Sequence, residues 1–200
     1  AIKKSFEKLS EIGQPGIYTL KPPINPDNFE KAKLLDVSDF AKGEGWYDYQ
    51  WNDTILPDSA RKFMPSMIYT CLLDDSVEFR FAGRAFGIFD VMGPKSGNIV
   101  CMIDDKEAAI ISRFDKNCGH YRLSSFLVYL EDDAPHNVKM ILYEELPLER
   151  KAEIISQNNT IMQDTDMYDD HCWHIGNILL IGDIIEPQRD EMGRIIAGGQ

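Results

Sequence analysis

Between residues 34 and 185 the chain breaks into about ten short runs of β-type sequence, and this repetition constrains the fold more than any other feature. The runs are LLDVSDF, GWYDYQW, SMIYTCLL, SVEFRFAG, RAFGIFDVM, NIVCMI, EAAIISRF, YRLSSFLVYL, NVKMILYEE and HIGNILLIGDII. Turn residues punctuate them, as in GPKSG (93–97) and in Asp104-Asp105-Lys106, which reads as a hairpin. Within SVEFRFAG, Val77, Phe79 and Phe81 alternate with Glu78, Arg80 and Ala82, so one face is apolar. Many short strands with turns between them predict a mainly β fold, an antiparallel two-sheet β-sandwich or jelly roll. Two helical stretches interrupt the pattern. Ile2, Phe6 and Leu9 recur at helical spacing over 2–12 before Gly13 and Pro15, and PLERKAEIISQ (147–157) opens on a proline suited to a first helical turn. Residues 14–32 hold four prolines and read as an extended linker, 33–186 as the sandwich, and 187–200 as a tail. The first 13 residues read as a helix left over from, or leading into, a neighbouring domain.

Charge narrows the function classes. Lys and Arg number 21 against 33 Asp and Glu, a net −12. Nucleic acid and anionic membrane both require a basic face, so neither is expected as a partner. No apolar run reaches the length of a membrane span, and the lysines near the N-terminus have no apolar stretch behind them. Cys71 and Cys101 lie in apolar runs and read as reduced core residues, which favours a cytoplasmic setting unless a leader precedes Ala1.

No metal and no cofactor are expected. The four cysteines form no CxxC pair. Asp164, Asp166, Asp169 and Asp170 lack the Gly and Glu of an EF-hand loop and read as a solvated loop. His171 and His174 have no visible further ligands. Catalytic residues are not expected either. GxSxG does not occur, and Ser124 and Ser125 sit in an apolar run without a glycine elbow. Cys118 and His120 are two apart, a spacing that leaves a Cys–His nucleophile open as an alternative.

Two groups could bind a ligand. Trp46, Tyr47, Tyr49 and Trp51 read either as core or as a platform for sugar rings. The segment RFDKNCGHYR concentrates Arg113, Asp115, His120, Tyr121 and Arg122 between apolar strands. It reads either as an ion-pair corner, with Asp115 taking Arg113 or Arg122, or as the rim of a glycan site. In the second reading Asp115 accepts sugar hydroxyls, Arg122 and His120 donate, and Tyr121 or Trp46 stacks.

One block goes beyond pattern: FRFAGRAFGIFDVMGPKSGNIVCMIDD (79–105), then SRFDKNCGHYRLSSFLVYLEDDAPHNVKMIL (112–142). It resembles the β-sandwich domain that accompanies the catalytic domain in bacterial SGNH (GDSL-like) hydrolases. The likeness extends over about residues 22–186, and departs at Asp105-Lys106, where two small residues are usual, and at Ala134-Pro135, where a glycine is usual. The resemblance implies a jelly roll of the galactose-binding-like kind, an SGNH catalytic domain as partner in cis, and carbohydrate as a further partner. The family's G-D-S block is absent from these 200 residues, and three residues before His171 and His174 stand Tyr168 and His171 where the family's D-x-x-H has an aspartate, so no catalytic role carries over. A stand-alone carbohydrate-binding module and an esterase using Cys118 and His120 remain the alternatives.

Overall fold

The computed structural model describes residues 21, 29, 31–51, 56, 58–144, 146–159, 161, 162 and 164–185. The helix expected over 2–12, most of the linker and the tail lie outside them. The strands are β1 (Ala32–Asp36), β2 (Ala41–Lys42), β3 (Tyr47–Asp48), β4 (Ile68–Thr70), β5 (Ser76–Met92), β6 (Asn98–Ile103), β7 (Lys106–Ser112), β8 (Arg122–Tyr129), β9 (Pro135–Glu144) and β10 (Trp173–Ile184). A single α-helix among the described residues, α1 (Leu148–Ser156), falls within 147–157, the stretch read as helical from Pro147 onward. The fold is therefore mainly β and antiparallel, as the alternation predicts.

Strand β5 organises the rest. SVEFRFAG and RAFGIFDVM, read from the sequence as two strands, are one strand of 17 residues. Its first half pairs with β9 (Ser76–Ala82), its second half with β8 (Ala85–Met92), and β10 runs beside it from Phe81 to Val91. A straight strand would set Phe79 and Phe86 roughly 23 Å apart. Their ring centroids are 5.8 Å apart, and those of Phe81 and Phe86 are 5.6 Å apart. The strand thus folds over on itself between them. Hydrogen bonding runs through the bend, so the backbone forms one connected ten-stranded sheet whose two halves face each other as a sandwich.

The bend depends on two glycines. Gly83 pairs with Gly182 of β10, next to a break in register between Ile181 and Gly182. A Cβ on Gly83 would lie 2.2 Å from the Ile181 carbonyl oxygen, and one on Gly182 would lie 2.3 Å from that of Ala82. Neither position has room for a side chain. The break also shifts the inward set from odd to even residues: Val77, Phe79 and Phe81 before it, Phe86 and Ile88 after it.

The core between the halves includes these residues with Ile99, Met140, Leu142, Trp173 and Ile178. A second cluster covers the outer face of the β5–β10 half, where Tyr49, Met64 and Met67 lie against Val91. Met64 crosses Gly176, where a Cβ would meet its side chain at 2.1 Å. A third cluster seats α1 at the end of the sandwich through Ile155, Phe114, Cys118 and Tyr168.

The cysteine reading needs correction. Cys71, expected as a free thiol, forms a disulfide with Cys172. Thr70 and Trp173 are directly paired between β4 and β10, and this pairing brings together two cysteines 101 residues apart in sequence. Local sequence could not show that proximity. Cys101 is free and buried, as expected. The cytoplasmic setting rested on reduced cysteines and loses that support.

Candidate functional site

The segment 113–122 joins β7 to β8 and wraps the C-terminal end of β5. Arg113 emerges from β7 and reaches into the core, where its guanidinium grips Asp90 of β5 through two hydrogen bonds of 2.7 and 2.5 Å. It also donates to Ser124 Oγ at 3.0 Å and lies 5.0 Å from the centre of the Phe126 ring, both on β8. Asp90 has no exposed surface, and the Trp173 indole donates to it at 3.4 Å. Burial raises the Asp90 pKa, with Arg113 and Trp173 pulling the other way. Arg113 therefore ties β7 to the β5–β8 half from inside.

Asp115 takes Arg122, at 2.6 Å, in a pair that keeps part of each side chain in solvent. Behind it lies the fully buried Cys118. The Asp115 amide donates to Cys118 Sγ at 3.3 Å, the thiol points to an Asp115 carboxylate oxygen at 3.6 Å, and Arg122 donates to the sulfur at 3.6 Å. His120 is exposed and is not among these partners. Burial raises the Cys118 pKa, so at neutral pH the group is a protonated, packed thiol. Tyr121 is partly buried. Its ring sits against Gly93, where a Cβ would collide at 2.2 Å, and burial pushes its hydroxyl up to about 12. Trp46 lies apart from this segment, 6.0 Å from Trp173, and its indole donates to the Lys42 carbonyl. Of the six residues singled out in sequence, Asp115 and Arg122 pair directly, His120 is exposed in the same segment, and Tyr121 packs instead on Gly93 and His174. Arg113 and Trp46 converge instead on Trp173 and Asp90.

The ordered block 79–142 thus holds this corner together. Gly83 makes the bend, and Gly87 lets β8 approach, since a Cβ there would lie 1.9 Å from the Phe126 carbonyl oxygen. Asp90 anchors Arg113, Gly93 receives Tyr121, and Cys118 backs the Asp115–Arg122 pair. Sequence reasoning missed Asp90. The available signal was an acid in an otherwise apolar strand, which must find a partner when buried.

Lys151 was missed too. It shares one face of α1 with Leu148 and Ile155, at i, i+3 and i+7, a face that packs inward. Its ammonium donates to the carbonyls of Pro94, Tyr168 and Asp170 at 3.1, 2.9 and 2.6 Å. Burial pulls its pKa down to about 8. The lysine pins the acidic 164–170 loop to the 93–97 turn. Cys71, Asp170 and Cys172 bring potential ligand atoms within 4.8 Å of one another, but the two sulfurs are bonded to each other.

A row of rings crosses the outer face nearby. Tyr47 of β3 pairs with Tyr69 of β4, and Tyr69 with His174 of β10. Ring centroids are 5.9 Å apart from Tyr47 to Tyr69, 5.1 Å with near-parallel planes from Tyr69 to His174, and 6.0 Å from His174 to Tyr121. Tyr49 and Trp51 pack in the same cluster. The four aromatics of GWYDYQW therefore divide: Trp46 faces the core between the halves, Tyr49 and Trp51 the outer cluster, and Tyr47 is 61% exposed.

Burial lowers the His174 pKa to about 4. The unfolded chain, with a histidine near 6.5, binds more protons between those values, so stability present above 6.5 is lost as pH falls toward 4. That shift corresponds to about 3 kcal/mol. Urea unfolding at pH 7 and pH 4.5 should show most of this loss, and His174→Phe should shrink it. An equal acid loss in both proteins would refute the assignment.

No protein-family model matches this chain, and no curated protein sequence matches it. Solved structures do. A two-domain esterase (CEX) active on acetylated mannans aligns over 87% of this chain and 41% of its own, with TM-score 0.55 and 12% identity. The same kind of esterase co-crystallised with mannopentaose aligns over 92% of this chain and 44% of its own, with TM-score 0.53 and 13% identity. This chain therefore spans less than half the length of the esterases it matches, and what it shares with that portion of them is a β-sandwich fold.

Proposed function

We propose that this chain is the non-catalytic β-sandwich domain of an SGNH-type carbohydrate esterase, packing in cis on the catalytic domain and contacting the glycan. The observation that carries the reading is a coincidence of two independent signals. The ordered block 79–142 resembles SGNH accessory domains, and 87% of the chain superposes on a minor part of an esterase that is itself two-domain. The corner built by that block also suits the role. Asp115, His120 and Arg122 reach solvent at its lip, and a carboxylate beside a guanidinium offers paired acceptors and donors to vicinal hydroxyls. A buried, protonated Cys118 supports a non-catalytic role for this chain. A disulfide fits a protein that meets polysaccharide in an oxidising compartment.

Two measurements test the reading. The coding sequence adjoining this chain should specify a G-D-S block, and its absence would remove the esterase from the proposal. The chain alone should not hydrolyse 4-nitrophenyl acetate above a matched protein background. Turnover abolished by Cys118→Ala would instead make this chain the enzyme.

A further inference from the structure

We propose that the Tyr47–Tyr69 end of the outer-face ring row is a stacking platform for a neutral hexopyranose chain. This rests on the carbohydrate reading above and names where the sugar sits and which class it belongs to.

Tyr47 belongs to a two-residue strand at the edge of the sheet, where an unsupported tyrosine would sample many rotamers. Here one side of the ring is backed by Tyr69, which is stacked in turn on the buried His174. His174 is held edge-on by Tyr49 and Tyr121. Tyr47 is thus a fixed exposed ring whose backing reaches into the core. Ordering it costs little at the moment of binding, which is the advantage a preorganised aromatic gives a binding surface. Of the tyrosines and tryptophans in this row and its cluster, Tyr47 combines large exposure with a backed ring; Tyr49 is buried, and Trp51, Tyr69 and Tyr121 are partly buried.

A flat ring at an open sheet edge, with no enclosing wall, suits the apolar C–H face of a pyranose within a longer chain. Behind the platform the row of rings continues inward. From Tyr47 it leads through Tyr69 and His174 to Tyr121, which sits against Gly93. The net charge of −12 favours neutral polymers over polyuronates, whose carboxylates it repels.

The test is titration of the chain with mannopentaose, cellohexaose and an oligogalacturonate at low salt, followed by isothermal calorimetry. Wild type should bind a neutral oligosaccharide. Tyr47→Ala should weaken that binding by about tenfold or more, as truncation of an anchoring aromatic does. Tyr47→Phe should retain it, since the ring and not the hydroxyl makes the contact. Because Tyr47 is exposed, its variants should keep the wild-type melting temperature. Wild-type binding that persists in Tyr47→Ala overturns the platform and leaves the carbohydrate reading standing. Equal loss in Tyr47→Phe and Tyr47→Ala, or tighter binding of the oligogalacturonate, also overturns it. No binding of any of these sugars by wild type overturns the platform together with glycan contact by this chain.

Discussion

Reducing the Cys71–Cys172 disulfide should lower the stability of this protein by about 4–5 kcal/mol, the loop-closure entropy of a bridge enclosing roughly 100 residues. The bridge joins the end of β4 to the start of β10 and encloses β5 to β9 and α1 in sequence. In the folded state it adds little new order, because Thr70 and Trp173 beside it are already paired. Its effect therefore falls on the unfolded chain, which loses freedom when those ends are tied. Denaturant unfolding with and without reductant measures the difference directly. The Cys71→Ser/Cys172→Ser double variant should behave like the reduced protein and be insensitive to reductant. For a domain of this size the melting temperature should fall by about 10–20 °C. A loss below about 1 kcal/mol would mean that the unfolded chain keeps these segments together without the bond.

Arg113→Ala should cost about 3–5 kcal/mol, because it strands the Asp90 carboxylate inside the sandwich without its charged partner. The Ser124 hydroxyl loses a donor and the Phe126 ring loses the overlying guanidinium in the same change. Burying a charge alone is far less favourable than burying the pair, so removing both members should recover much of the loss. Arg113→Met combined with Asp90→Leu should accordingly be more stable than Arg113→Ala. By contrast, Asp115→Ala and Arg122→Ala should each change stability by at most about 1 kcal/mol, because that pair is partly solvated. Urea unfolding of the four proteins separates the two ion pairs. Similar small losses for Arg113→Ala and Arg122→Ala would show that the Asp90 carboxylate adapts by taking up a proton or water.

These contrasts mark where reading the chain stopped short. Composition and charge narrowed the partners, and alternation at Val77, Phe79 and Phe81 fixed a β fold. The run PLERKAEIISQ, opening on a proline suited to a first helical turn, placed α1. Each of these is a local property, because side-chain direction repeats every two residues in a strand and about every 3.6 in a helix. Glycines 83 and 182 belong to the same sequence, but their joint meaning requires knowing that they pair. For the same reason SVEFRFAG and RAFGIFDVM read as two strands instead of one that bends.

Partners were the larger gap. Arg113 had Asp115 close in sequence, yet it bonds Asp90, 23 residues away, because β7 ends over the far half of β5. Cys71 found Cys172 across 101 residues, because β4 and β10 lie side by side. Likewise the run GWYDYQW read as core or platform without saying which of its aromatics meets solvent. Only the covering segment that carries Met64 and Met67 decided that, leaving Tyr47 outside. The sequence by itself determined the type of each element and which residues share a face. The tertiary structure decided which face is covered and which charges and sulfurs meet, since those depend on strand order, and strand order is set by contacts between residues far apart in the chain.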